Sequence, residues 1–146
     1  MIRPLAASDR ADWERLFRAY GEFYETQFDD NVLARVWTLL MSEGSGIDAL
    51  VAEDSGRVVG FAHYRSHHDT FTGGRDFFLD DLYVEPEARG AGHATALIDG
   101  IAAIAASEGA VGGTLRWITA HDNATAQRVY DRVATRTTWV TYERRL

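Results

Sequence analysis

The chain predicts an α+β fold, a mixed and mostly antiparallel sheet flanked by about four helices in the order β-α-α-β-β-β-α-β-α-β. Three observations carry this. Apolar residues recur at helical spacing before residue 44, and alternating apolar runs joined by turn sequences fill residues 48–84. A strand, a glycine-rich turn and a helix start then follow one another between Asp76 and Ile98. At 146 residues the chain has the size of one domain, able to bury a core without metal or disulfide support, and residues 1–146 are expected to form a single unit.

Taken in order, residues 2–5 read as a short first strand. Ser8 or Asp9 then caps a helix carrying Trp13, Leu16, Phe17, Tyr20, Phe23 and Tyr24. A second helix begins near Asp30-Asn31, places Val32, Leu33, Val36, Trp37, Leu39 and Leu40 on its stripe, and stops at Gly44-Ser45-Gly46. Residues 48–53 and 58–65 are strands joined by the tight-turn sequence Asp54-Ser55-Gly56, and Gly73-Gly74 closes a second hairpin into a strand over 76–84. Ala94, Leu97, Ile98, Ile101 and Ala105 mark a third helix ending near Gly109. A strand over 114–119, a helix over 123–133 and a last strand over 139–144 complete the chain, with no linker, repeat or low-complexity segment.

Composition narrows the chemistry. The formal charge of −7 argues against a nucleic-acid partner, whose phosphates demand a basic face, and favours a cationic one such as an amine. All 15 basic residues are Arg, so Schiff-base and phosphate-loop lysine chemistry are closed, and the absence of Cys removes a thiol nucleophile. No apolar run approaches the roughly 20 residues that span a bilayer, and the N-terminal residues carry no leader-like apolar stretch. A cytoplasmic protein with no membrane partner is expected. His63, His67, His68, His93 and His121 lack metal-ligand spacing, so no metal is expected, and Gly44-Ser45-Gly46 is not a serine nucleophile elbow.

Three groups of residues remain for function. Arg89-Gly90-Ala91-Gly92-His93-Ala94 follows a strand and opens a helix, where unpaired backbone N–H groups and the helix dipole favour a phosphate. The missing acidic residue about 20 positions on excludes a Rossmann reading. Asp80 and Asp81 interrupt an apolar strand, and without a bulge they point to opposite faces, so only one can meet a given cleft. A desolvated carboxyl there would have a raised pKa. It could take a proton from an ammonium substrate, directly or through water, or pair with it; the other reading is a structural charge bonded to backbone or Arg. Asn123 and Tyr130 stand seven residues apart, close to two helical turns, and can share a face.

The pattern Asp-Leu-Tyr-Val, then Arg-x-x-Gly-x-Ala, then Asn-x-x-Ala-x-x-x-Tyr resembles the GCN5-related N-acetyltransferase (GNAT) family, and the likeness runs from Ile2 through Trp139-Val140-Thr141-Tyr142. It is nearest in pattern to the Hpa-type histone, polyamine and D-amino-acid acetyltransferases and to the diamine acetyltransferases. The resemblance implies acetyl-coenzyme A as co-substrate, its pyrophosphate at Arg89, Gly90, Ala91, Gly92, His93 and Ala94. Its pantetheine arm would lie along the backbone of Leu82, Tyr83 and Val84 and meet Asn123. Tyr130 would protonate the departing thiolate, and Asp80 or Asp81 would serve the amine. Tyr24, Phe28, Asp29 and Asp30, at the exit of the first helix, become acceptor candidates; the alternative is aromatic core and a solvated cap. In place of the family's Leu-Gly-Phe after the Tyr stands Val133-Ala134-Thr135. The resemblance also implies a small-molecule amine as acceptor, transferred to directly in a ternary complex, and a homodimer, which is common in the family. A peptide-tail or N-terminal acetyltransferase and a non-catalytic acyl-coenzyme A sensor are the rival readings.

Overall fold

The sheet grows from two hairpins. The computed structural model describes residues 1–110 and 112–146. Strand β2 (Asp48–Asp54) turns into β3 (Arg57–His68) through Ser55 and Gly56, both at positive φ (51° and 80°), the torsions that match a two-residue turn to strand twist. A longer loop leads from β3 to the antiparallel β4 (Arg75–Val84), and β1 (Ile2–Pro4) adds to the outer edge of β2. The sheet order is β1-β2-β3-β4-β5, antiparallel throughout except for the last pair.

Helices cover both faces. Helices α1 (Arg10–Phe23) and α2 (Asp30–Met41) bring Trp13, Leu16, Phe17, Leu33 and Trp37 onto Val51, Val58 and Phe61. On the other face α3 (His93–Ser107) sets Leu97, Ile98 and Ile101 against Leu50, Ala62, Tyr64, Phe77 and Leu79. Asp9 fixes the entry to α1 by accepting from the Ala6 N–H at 2.8 Å and from the Arg3 Nη1 and Nη2 groups at 2.7 and 3.0 Å. Asp29 caps α2 by accepting from the Val32 N–H at 2.7 Å. Among the described residues no helix is long and apolar enough to cross a membrane.

The far end of the sheet departs from expectation. Strand β5 spans only Leu115–Arg116, not 114–119, and pairs with β4 at Phe77 and Phe78 alone. Buried Asp76 clamps that short ladder, accepting from the Thr114 N–H at 2.8 Å and from Arg116. Beyond it β4 carries a bulge: His63 opposes Asp81 and Tyr64 opposes Leu79, which leaves Asp80 unpaired. A bulge bends and twists its strand, and here β4 and the chain after β5 part company. The expected last strand over 139–144 is not formed. After α4 (Ala124–Val133) no residue is helical or paired, and Trp139, Val140 and Tyr142 are 85%, 74% and 91% exposed. The edge such a strand would join has shrunk to two paired residues, too few to hold it.

Candidate active site

The glycine turn leaves a run of backbone amides unpaired among the described residues. Buried Glu85 anchors its start, accepting from Arg15 and Arg57 at 2.7 Å each, and its own N–H reaches the Val59 carbonyl at 3.0 Å. Arg89 donates from Nε to the Val84 carbonyl at 3.0 Å and lies over the Tyr83 ring, leaving its two terminal nitrogens without an acceptor among the described residues. Gly90 and Gly92 both sit at φ 85°, where an added Cβ would meet no protein atom within 4 Å. The left-handed backbone, rather than crowding, is what calls for glycine. Arg89's own N–H is taken by the Pro86 carbonyl at 3.2 Å, and the helix ladder begins with Ala96 donating to Gly92 at 3.0 Å. Between them the N–H groups of Gly90, Ala91, Gly92, His93, Ala94 and Thr95 find no acceptor among the described residues. The His93 ring turns away toward the β2–β3 turn, with Nε2 buried and unbonded 3.8 Å from Asp54.

From this turn the unpaired edge of β4 leads into a cleft. A narrow pocket is walled by Leu79, Asp80 and Leu82 of β4, by Trp117, Ile118 and Thr119 after β5, by Tyr20 and Tyr24 of the α1 end, and by Tyr130 of α4. Tyr24 also lines a wider open cleft of about 500 Å³ with Phe23, Glu25, Asp122 and Asn123. Tyr130 packs edge-on against Trp117, ring centres 5.4 Å apart. Burial first, and then the neighbouring Tyr24, push its phenol up to about 12, so it is a protonated donor at neutral pH. Asn123 caps α4 by accepting from the Ala126 N–H at 3.2 Å, and Leu82, Tyr83 and Val84 occupy the stretch of β4 without a partner on the β5 side.

The two aspartates do not face opposite ways. Leu79 and Leu82 both pack on the α3 side, which requires the two residues between them to share the α1 side, and the bulge makes this geometry. Their surroundings differ. Asp80 holds Arg65 Nε at 3.1 and 3.0 Å. Asp81 lies 2.9 Å from His63 Nδ1 and beside the Tyr20 hydroxyl. Burial pushes the Asp81 carboxyl up, but His63, by its hydrogen bond and by its charge when protonated, and the Tyr20 hydroxyl outweigh it and hold the group below the usual carboxylate range. The raised carboxyl expected in this strand is therefore not what Asp81 has. It is a fixed anion, better suited to pairing with an ammonium group than to removing its proton.

Of the acceptor candidates Tyr24 and Asp80 line the narrow pocket, and Asp81 lies behind them against His63 and Tyr20. Phe28 stacks on Phe17 with ring centres 4.4 Å apart, Asp29 is the α2 cap, and Asp30 pairs with Arg18 at 2.5 Å. Tyr20, Trp117 and His63 escaped the sequence reading as site residues. Tyr20 could have been found one turn before Tyr24 on the same helix face; His63 had no local signal beyond a polar residue inside an apolar strand.

A family model described as the acetyltransferase (GNAT) family matches residues 11–134. The chain belongs to that family. Its enzyme class is accordingly that of the N-acetyltransferases. A D-amino-acid N-acetyltransferase, HPA3, of Saccharomyces cerevisiae is 27% identical over 99% of this chain and 89% of its own length. A thialysine N-epsilon-acetyltransferase of Mus musculus is 31% identical over 74% of this chain and 68% of its own. Among solved structures, AAC(6')-Iy in complex with the bisubstrate analogue CoA-S-monomethyl-acetylneamine superimposes with a TM-score of 0.80 at 22% identity, covering 100% of this chain and 97% of that one. The five-stranded mixed sheet with four helices is the fold of these enzymes.

Proposed function

We propose that the chain transfers the acetyl group of acetyl-coenzyme A to a primary amine of a small molecule by direct attack within a ternary complex. The observation that carries this reading is the run of free amides from Gly90 to Thr95 at the end of a strand whose open edge leads to Tyr130. A diphosphate takes those amides and the free nitrogens of Arg89. The pantetheine arm lies along Leu82, Tyr83 and Val84 like an added strand, with Asn123 at its flank. Asp81 pairs with the ammonium group of the acceptor, which first loses a proton to Asp80, Asp81 or, through a water they hold, to solvent, and the freed amine nitrogen then attacks the thioester carbonyl. A backbone N–H near Leu82–Val84 polarises the thioester carbonyl. The carbon–sulfur bond then breaks and Tyr130 protonates the thiolate.

Proximity alone contributes about 7 to 11 kcal/mol in favourable cases, so weakly tuned acid–base groups suffice. Names of the relatives support a small amine as acceptor: one acts on D-amino acids, another on thialysine. A homodimer and a cytoplasmic setting belong to the same reading, the first because Trp139, Val140 and Tyr142 stand in solvent on one short segment. The test is a thiol-release assay with acetyl-coenzyme A and a panel of amino acids, polyamines and peptides. Amine-dependent release with a small molecule supports the reading; release only with peptides, or none with any amine, overturns it.

A further inference from the structure

Beneath Asp81 lies a buried chain of polar contacts that the acetyl-transfer reading leaves unused. Trp13 Nε1 lies 2.9 Å from His63 Nε2, and His63 Nδ1 lies 2.9 Å from Asp81 Oδ2. Trp13 and His63 are 0% and 1% exposed, enclosed by Phe17 and Phe61 at ring distances of 5.1 and 4.6 Å from the imidazole. An indole nitrogen can only donate. His63 Nε2 must therefore present its lone pair to Trp13, which puts the ring's one proton on Nδ1, aimed at Asp81. A second proton on Nε2 would set two donors head to head in a dry core, leaving both unsatisfied.

We infer that Trp13 and His63 form a tautomer lock, in which the indole N–H holds His63 as the neutral Nδ1–H form and that N–H fixes the Asp81 carboxylate as the anchor of the amine. Both are positioning residues acting through Asp81. The anchoring role rests on the acetyl-transfer reading; the lock does not. The arrangement accounts for three features at once: an indole nitrogen buried in the core, a histidine on the apolar side of β3, and a carboxylate held between the His63 ring and the Tyr20 hydroxyl. The other titratable or charged groups around it are Tyr20 and Tyr24 on α1, Asp80 on β4 with Arg65 on β3, and Tyr130 on α4. None is of a type that ordinarily changes charge between pH 5.5 and 8.

Histidine nitrogen-15 correlation spectra of the full chain at pH 7.5 read the lock without any activity. A pyrrole-type Nδ1 and a pyridine-type Nε2 on His63 are expected; an Nε2–H form or an imidazolium overturns the lock. Kinetics with saturating acetyl-coenzyme A then reads its purpose. In Trp13→Phe the imidazole loses the donor that holds its tautomer, so the amine KM should rise with kcat near wild type, whereas loss of packing alone gives no such split between KM and kcat. Asparagine at 63 can place a donor where Nδ1 stands, while glutamine places its head near Nε2. His63→Asn should keep the amine KM within about threefold and His63→Gln should raise it about tenfold, with kcat nearly unchanged in both. An unchanged amine KM in Trp13→Phe together with equal KM values for the two His63 variants overturns the positioning role. A locked spectrum with no amine turned over removes the acetyl-transfer reading and leaves the lock standing.

Discussion

The sheet has two ends that treat backbone hydrogen bonding in opposite ways. From β1 to β4 every strand is paired along most of its length, both faces are covered, and the few buried charges, such as Asp9 and Glu85, sit in bonds with arginines. From Leu79 onward β4 loses its second partner, the turn after it and the first residues of α3 leave six consecutive amides without acceptors among the described residues, and the residues after α4 join no strand. Unpaired backbone groups are costly when buried, so a fold tolerates them where water or a ligand reaches. On the proposed acetyl-transfer reading the well-paired half supplies stability and the open half supplies binding, and the difference can be broken by moving either property to the other side.

The largest effect is expected in the paired half. Phe61→Ala, at a fully buried ring touching Phe17, Tyr20 and Tyr83, should cost about 3 to 5 kcal/mol of stability in denaturant unfolding. A loss below about 1 kcal/mol would show that the core does not lie where it is drawn. In the open half Tyr130→Phe should lower kcat about 100-fold with a melting temperature close to wild type. An unchanged kcat would remove the phenol from proton transfer.

Asp81→Asn should raise the amine KM about tenfold and Asp80→Asn by no more than about threefold, because the Arg65 guanidinium already offsets the Asp80 charge while the partners of Asp81 are neutral in the proposed lock. Reversal of that order would exchange the roles of the two neighbours. The smallest effect is on pH. A phenol held near 12 when folded and near 10 when unfolded keeps its proton longer in the native state, so folding stability falls as pH rises from about 10 toward 12. Tyr130→Phe should make that fall shallower in urea unfolding at pH 9 and 11, and an identical slope would place the ring in solvent.

Much of this division could be read in the chain. The helical stripes of Trp13 and Leu97, the Ser55-Gly56 turn and the glycines at 90 and 92 are local patterns, and each element formed where its pattern stood. What escaped was set between segments. The bulge at Asp80 exists only relative to the pairing partners in β3, so the shared face of the two aspartates could not be seen in β4 alone. The sequence Trp139-Val140-Thr141-Tyr142 has strand propensity, yet propensity makes no strand without an edge to join. Asp29 reads equally as a cap or as a ligand until the Val32 N–H is found beneath it. The contact of Trp13 with His63 crosses 50 residues and carries no spacing rule.

The account stands on the free amides of the turn. A titration of the nitrogen-15-labelled chain with coenzyme A, and in parallel with pantetheine, tests this most directly. Coenzyme A should shift the amides of Gly90 through Thr95 at low concentration, and pantetheine, which lacks the diphosphate, should bind at least tenfold more weakly and leave them in place. Equal affinity for the two ligands, or unmoved amides at saturation, would contradict it.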